Sequence, residues 1–213
     1  IIHDSGGYGM LGLGHNPKQV LEEVADPKHV MANIMTPSLA QYHFSQALKK
    51  ELGHRRDAKH PNELTKIFCL NSGSEAMTLC LRISDRLAKD QMQKNPSIKE
   101  SKFIAIKQGF HGRTDLPSQI SSSSIKTYQK YLASFKERDN LLLVEANNIE
   151  QLEQRAAQAR RENIHIQAIV FEPVMGEGRP GLSITPEFYK SAWDISRKYK
   201  SLFIIYSIQA GLR

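Results

Sequence analysis

The chain has 213 residues, of which 40% are hydrophobic and 24% are charged, an ordinary balance for a globular protein. This composition argues against a disordered chain, a collagen-like repeat and a disulfide-rich scaffold. Apolar runs stay well below the roughly 18 residues needed to span a bilayer, so no membrane partner is expected. The two cysteines, Cys69 and Cys80, give no disulfide framework and indicate a reducing, cytoplasmic location.

The sequence carries 29 basic and 22 acidic residues, a net charge of +7. Such an excess suits a nucleic-acid partner, and it equally suits a ligand that carries phosphate or carboxylate. The basic residues are scattered, apart from small groups such as 49–56 that are more often a solvated helix end than a binding patch. Because no nucleic-acid-binding motif accompanies the charge, no nucleic-acid partner is expected.

Both ends of the sequence favour a fragment. The chain starts at Ile1 without an initiator methionine or a signal-peptide pattern, and it stops at Arg213, just beyond a strand-like run. A natural domain seldom ends directly after a core strand. We therefore expect a part of a larger protein.

Capping signals and apolar periodicity divide the chain into elements. Asn16-Pro17 predicts a helix to about Val24, and Thr36-Pro37 predicts a helix to about Leu52. Beyond a polar loop, apolar runs predict five strands, at 66–70, 102–106, 141–144, 168–171 and 202–206. Helical patterns cover 74–88, 125–135, the stripe formed by Ile149, Leu152, Ala156 and Ala159, and the segment that Thr185-Pro186 opens.

Strands that alternate with helices predict an α/β fold, with a mainly parallel sheet and helices on both faces. The predicted strands are continuous apolar runs, as strands covered on both faces should be. Ligands of such sheets usually bind at the carboxyl ends of the strands. The residues that follow each strand are therefore the candidates for chemistry.

The turn from Asn71 to Ala76 lies between a predicted strand and a predicted helix. Gly73 would permit a tight turn, and Ser74 would begin the helix with free backbone N–H groups at the positive end of its dipole. A hydroxyl on Ser74 adds a further donor. The pattern fits a phosphate cradle and a simple N-cap turn about equally well.

Three further motifs follow predicted strands. In 109–113, Phe110 could stack on a flat ring, or it could be a surface aromatic in a turn. Glu172 could pair with a cation, or it could be a solvated loop acid. After the last strand, Ile208 could pack on a ring face and Gln209 could hydrogen-bond a ring substituent.

Two other patterns carry less weight. Residues 7–12 match the GxGxxG string, but the predicted helix starts only at Pro17, so a dinucleotide site is not expected. His54 and His60 flank a charged loop without the cysteine or carboxylate ligands of a metal site. No metal is therefore expected.

Taken together, the motifs resemble the class III aminotransferases, which are fold type I enzymes that use pyridoxal phosphate. The resemblance covers nearly the whole chain, and five motifs occur in the order of that family. They are 6–17, 71–76, 109–114, 172–178 and 208–211. The resemblance implies that 61–213 is part of the cofactor-binding large domain, that 1–60 leads into it, and that the rest of the large domain and the small domain lie outside the chain.

The resemblance also implies roles for individual residues. Gly73 and Ser74 correspond to the phosphate-binding pair. Phe110 corresponds to the aromatic residue that stacks on the pyridine ring, with His111 beside it. Glu172 corresponds to the substrate-gate glutamate. The remaining cofactor-binding positions are Tyr206, Ile208 on the opposite ring face, and Gln209 near the ring hydroxyl.

Two departures from the family pattern stand out. Tyr206 occupies the position of an aspartate that pairs with the protonated pyridine nitrogen, and a tyrosine cannot supply that charge. The lysine that forms the Schiff base lies beyond Arg213 in the family, and Lys107, Lys190 and Lys200 are in the wrong places to replace it. No catalytic residue is therefore assigned within the chain, apart from Glu172 as a gate.

The resemblance implies amino-group transfer between a small-molecule amino donor and a keto acid acceptor, by an enzyme that is a homodimer in its full-length form. Transaminase and aminomutase members share the motifs kept in this chain. Without the lysine, the chain alone is expected to be inactive. The alternative is a non-catalytic remnant or an interaction fragment of such an enzyme.

Overall fold

The computed structural model describes residues 12–28, 38–53 and 66–211. Contacts divide the chain into two units, one of residues 1–69 with 212 and the other of residues 70–211 with 213. The Gly6–Gly9 motif, Thr36-Pro37, His54 and His60 lie outside the described residues. The helices of the described part include none that is long and apolar enough to cross a membrane.

The first unit contributes two helices to the described structure, α1 (Lys18–Ala25) and α2 (Leu39–Gly53). The predicted cap of α1 is one residue out, because Pro17 and not Asn16 is the N-cap residue. Residues 66–70 form no strand, so that prediction is wrong. A strand needs a neighbour to bond, and the described strands pair only among themselves.

The second unit contains the sheet, whose strands are β1 (Glu100–Ile106), β2 (Leu141–Val144), β3 (Ile164–Phe171) and β4 (Leu202–Ile205). All pairs are parallel, and the strand order is β2-β1-β3-β4. The predicted parallel α/β sheet is confirmed. All four strands consequently end at the same edge.

The helices of the second unit are α3 (Gly73–Lys94), α4 (Asp115–Ser118), α5 (Ile125–Tyr131), α6 (Ile149–Arg161) and α7 (Pro186–Tyr199). Thr185 caps α7 as predicted, because its Oγ1 accepts the N–H of Phe188 at 3.3 Å. Helix α5 ends four residues before the predicted Phe135, and α4 was not predicted.

The core has two layers, one on each face of the sheet, as predicted. Successive residues of β3 point to opposite faces, so that Ile169 packs in one layer and Val170 in the other. Leu152 of α6 and Phe188 of α7 join the first layer, and Leu81 of α3 joins the second. Helices on both faces leave the carboxyl ends of the strands as the open edge for a ligand.

Candidate functional site

The eight predicted site residues lie together at the carboxyl-terminal edge of the sheet, all within the second unit. Loops that follow β1, β3 and β4 bring six of them there, and the start of α3 brings the other two. Contacts between these segments, described below, join residues that are far apart in the sequence, such as Gly73 with Tyr206 and Ile208. The edge is therefore an assembled site and not a set of separate turns.

The start of α3 presents two backbone donors that no residue in the described part of the chain accepts. Ser72 caps the helix, and its Oγ accepts the N–H of Glu75 at 3.2 Å. The N–H groups of Gly73 and Ser74 precede the first intrahelical bond, which runs from Ala76 to the Ser72 carbonyl. These two donors lie at the positive end of a 22-residue helix, so the turn favours an anion.

Gly73 begins the helix, whereas the sequence predicted a tight turn there with Ser74 as the first helical residue. The glycine has a packing reason. A Cβ at this position would lie 2.7 Å from the Tyr206 hydroxyl oxygen and 2.7 Å from Cγ1 of Ile208. The absence of a side chain thus lets the loop after β4 approach the start of α3.

Ser74 connects α3 to the loop after β1. Its Oγ accepts the backbone N–H of Arg113 at 3.0 Å, and its carbonyl accepts the hydroxyl of Thr114 at 3.1 Å. Gly112, at φ +120°, packs closely on Ser74, because a Cβ on it would lie 2.9 Å from the Ser74 Cα. The hydroxyl of Ser74 is therefore held at a fixed place beside the free backbone donors.

Phe110 is buried, with 6% of its surface exposed, so the alternative of a surface aromatic is wrong. Its backbone N–H donates to Oε1 of Glu172 at 2.9 Å. The guanidinium carbon of Arg113 lies 5.3 Å from the centre of the Phe110 ring. Arg113 is also 3.7 Å from the carboxylate of Glu177. The backbone of Phe110 is therefore held by Glu172, and the guanidinium of Arg113 lies over its ring.

His111 is fully buried, and within the described part of the chain both of its ring nitrogens lack a hydrogen-bond partner. Its imidazole meets the Tyr206 ring edge to face, with centroids 5.6 Å apart. Burial lowers the pKa of His111 from 6.5 to about 3, so the ring is neutral at pH 7. Two unpaired nitrogens at the site show that no acceptor faces this histidine.

Glu172 is 2% exposed, so the alternative of a solvated loop acid is wrong. Its two oxygens accept the backbone N–H groups of Phe110 and Gly176, each at 2.9 Å. Burial raises the pKa of the Glu172 carboxyl, and these two hydrogen bonds oppose the rise. The substrate-gate role of Glu172 stays a prediction.

The loop after β4 places three residues. Tyr206 is 7% exposed, and burial, assisted by the nearby Glu172, raises the pKa of its phenol. Ile208 is 55% exposed and packs against Gly73. Gln209 lies so close to Gly176 that a Cβ on that glycine would overlap its Oε1.

Sequence reasoning missed Ser121, which supports the loop after β1. Its Oγ accepts the N–H of His111 at 2.9 Å and lies 3.1 Å from the Gly112 carbonyl and 2.8 Å from the Pro117 carbonyl. The four consecutive serines look like a polar loop, and nothing in their spacing singles out one of them. No group of three or more metal-ligating side chains occurs among the described residues.

The class-III aminotransferase family model matches residues 3–213. The chain is 27% identical over 206 residues to a LysW-aminoadipate semialdehyde/glutamate semialdehyde transaminase of Sulfurisphaera tokodaii, a match that covers 96% of this chain and 46% of that protein. It is 30% identical over 217 residues to the mitochondrial acetylornithine aminotransferase of Eremothecium gossypii, covering 97% and 46%. The chain thus spans about half the length of these relatives.

The fold also resembles solved transaminases. An amine transaminase from an uncultivated Pseudomonas species, in its pyridoxal-phosphate-bound form, aligns with a TM-score of 0.71 over 97% of this chain and 48% of its own, at 14% identity. At that identity the likeness shows a shared fold, which is fold type I. With the family model matching nearly every residue, the chain belongs to the class III aminotransferases.

Proposed function

We propose that this chain is the cofactor-binding part of an aminotransferase that moves an amino group from an amine or amino acid to a keto acid. Its family uses pyridoxal phosphate, which supplies an electron sink for the reacting carbon when it is bound. The observation that carries the proposal is the junction of Ser74 with Arg113 at 3.0 Å. That contact sets a helix start with free donors beside the loop that carries Phe110 and His111.

The phosphate end of the cofactor fits the residues present. The free N–H groups of Gly73 and Ser74, the Ser74 hydroxyl and the α3 dipole all favour a dianionic group. The guanidinium of Arg113 adds a positive charge to the same loop junction. A phosphate monoester at this place would satisfy donors that the helix itself cannot use.

The ring-nitrogen end of the cofactor does not fit. Tyr206 supplies no carboxylate for a protonated ring nitrogen, and its hydroxyl reaches to Gly73, across the space behind the phosphate turn. His111, which lies beside Tyr206, also finds no hydrogen-bond partner for either ring nitrogen among the described residues, which agrees with a missing acceptor on this side. The residues at this end of the site therefore do not match a protonated pyridine ring.

Among the residues that the structure describes, no lysine amine is available at this edge to form a Schiff base. Lys107 follows β1, but its Nζ is 2.6 Å from the Glu145 carboxylate. Lys190 pairs with Asp194 on α7, and Lys200 precedes β4 at the opposite edge. Because a Schiff base needs an amine at the site, the chain by itself is inactive.

Calorimetric titration with pyridoxamine 5′-phosphate tests the binding site. This ligand is an amine, so it cannot label surface lysines as an aldehyde would. We expect the 213-residue chain to bind it, to bind unphosphorylated pyridoxamine much more weakly, and to show no steady transaminase turnover with pyridoxal phosphate. Replacing Ser74 by alanine should weaken binding about ten-fold, since it removes a donor to a charged group.

The matched control is Ser97→Ala, an exposed serine that precedes β1 at the opposite edge of the sheet. It should leave the affinity unchanged. Equal affinities for the phosphorylated and unphosphorylated amines, or equal losses in the two serine variants, would remove the proposed phosphate site. Steady turnover by the purified chain would contradict its inactivity.

Three further features are proposed on the resemblance. Residues 61–213 belong to the cofactor-binding large domain, and 1–60 lead into it. The full-length protein is a homodimer, which sedimentation velocity would contradict if it showed a monomer. The protein works in the cytoplasm, with an amino donor and a keto acid as its partners, and cell fractionation tests this location.

A further inference from the structure

We propose that Glu172 is a positioning residue whose buried carboxylate fixes the three loops of the site against one another. The identity of the ligand that these loops would bind rests on the proposed function. The contacts themselves do not, because they join protein groups only. A carboxylate that holds loops together has a different role from a substrate gate, which must be free to turn.

The first part of the arrangement is a pair of hydrogen bonds. Oε1 of Glu172 accepts the N–H of Phe110, in the loop after β1, and Oε2 accepts the N–H of Gly176, in the loop after β3. Both distances are 2.9 Å, and the carboxylate is shielded from water. Hydrogen bonds to an ionised group are roughly twice as strong as neutral ones, so one charge orders both loops.

The loop after β4 packs against Gly176, whose N–H donates to Glu172. A Cβ on Gly176 would lie 3.2 Å from Oε2 of Glu172 and would overlap Oε1 of Gln209. Gln209, in the loop after β4, therefore lies against the backbone that Glu172 holds. Gly178, two residues later, packs closely against the loop after β1, because a Cβ on it would overlap the carbonyl of Gln108.

Other charged groups around Glu172 are already engaged or face solvent. Glu177, in the same loop, lies 3.7 Å from Arg113 and keeps 37% of its side chain exposed. The phenol of Tyr206 faces Glu172 from the loop after β4, and neutral His111 lies behind that phenol. Glu177 is therefore the acid that faces solvent, whereas the charge of Glu172 is directed at backbone N–H groups.

Amide NMR of the ¹⁵N-labelled chain tests the assignment. The amide protons of Phe110 and Gly176 should shift with pH along curves that share one midpoint, above the ordinary glutamate value, because burial raises the pKa of Glu172. In Glu172→Gln this shared titration should vanish, and hydrogen exchange at the Phe110 amide should accelerate at least ten-fold. Glu177→Gln, a carboxylate five residues away, is the matched control and should preserve both signals.

A ligand readout separates positioning from general stability. Glu172→Gln should weaken the binding of pyridoxamine 5′-phosphate about ten-fold and the binding of inorganic phosphate less, because Glu172 holds the backbone of Phe110, whereas the phosphate turn is built mainly from the start of α3. If the wild-type chain does not bind the amine but the amides titrate together, the proposed function fails and the role of Glu172 stands.

Three results would overturn the role of Glu172: separate midpoints for the two amides, unchanged exchange in Glu172→Gln, or the same changes in Glu177→Gln. If Glu172→Gln does not fold, the wild-type titration decides alone.

Discussion

At the residue scale, the pair of His111 and Tyr206 is the chemical anomaly of the site. A buried imidazole without a partner costs about 1–3 kcal/mol in lost solvation. Here it faces an aromatic edge at 5.6 Å, which offers no acceptor. The sequence identified position 206 as a departure from the family, and the structure places beside it a histidine that lacks a partner among the described residues.

His111 should make the fold sensitive to acid. Its pKa is about 3 in the folded chain and near 6.5 when unfolded, so the unfolded state gains a proton first as the pH falls. Stability is therefore fully present above pH 6.5 and is lost between 6.5 and 3. Between pH 7 and pH 5 this histidine should cost the folded state about 2 kcal/mol.

Urea unfolding of His111→Phe at pH 7 and pH 5 measures this contribution. The wild-type free energy of unfolding should fall by about 2 kcal/mol more than that of the variant. The exposed His43→Phe is the control and should behave like the wild type. If His111→Phe loses as much stability on acidification as the wild type, the buried, unpaired state of His111 is incorrect.

At the element scale, the strands show which elements a sequence pattern can predict. The runs at 141–144 and 168–171 are strands because buried parallel strands are continuously apolar. The run at 66–70 is equally apolar yet forms no strand, since pairing depends on a neighbour that local sequence does not specify. Helix α4 escaped prediction because four residues hold too little periodicity.

The candidate site likewise combines features that the sequence predicts with features that it does not predict. The post-strand rule locates six of the eight residues at one edge, because parallel strands end together, whereas Gly73 and Ser74 follow a predicted strand that does not form. The bond from Phe110 to Glu172 spans 62 positions and has no sequence signal. The same holds for Ser121 beneath His111. Long-range contacts of this kind follow from packing, which single-sequence patterns do not encode.

The loop glycines give an element-scale prediction. A Cβ at Gly178 would overlap the Gln108 carbonyl, a backbone atom that cannot turn away as a side chain would. Gly178→Ala should therefore destabilise the second unit by about 2 kcal/mol. Gly12→Ala is the control, because no heavy atom lies within 4 Å of its Cβ.

Thermal unfolding compares these two variants with the wild type. The melting temperature of Gly178→Ala should fall, while that of Gly12→Ala should stay close to the wild-type value. An unchanged melting temperature in Gly178→Ala would show that the loops after β1 and β3 are not in contact as described.

At the scale of the whole molecule, several basic residues gather at the edge of the sheet opposite the candidate site. The amino-terminal edge has a groove of about 640 Å³ lined by Lys94, Arg160, Lys198 and Lys200 among others. These cations lie at the carboxyl ends of α3, α6 and α7, where the helix dipoles favour positive charge. The dipoles alone account for these cations, so this groove is not proposed as the phosphate site.

The proposed function requires that the phosphate of the cofactor binds at the carboxyl edge of the sheet. The most direct test is amide NMR mapping of the ¹⁵N-labelled chain during titration with pyridoxamine 5′-phosphate. We predict that the largest shift changes fall on Gly73 and Ser74, at the proposed phosphate site, and on Arg113, whose N–H donates to the Ser74 hydroxyl. Changes concentrated instead on Lys94, Asn163 and Lys200, at the basic groove, would contradict the claim.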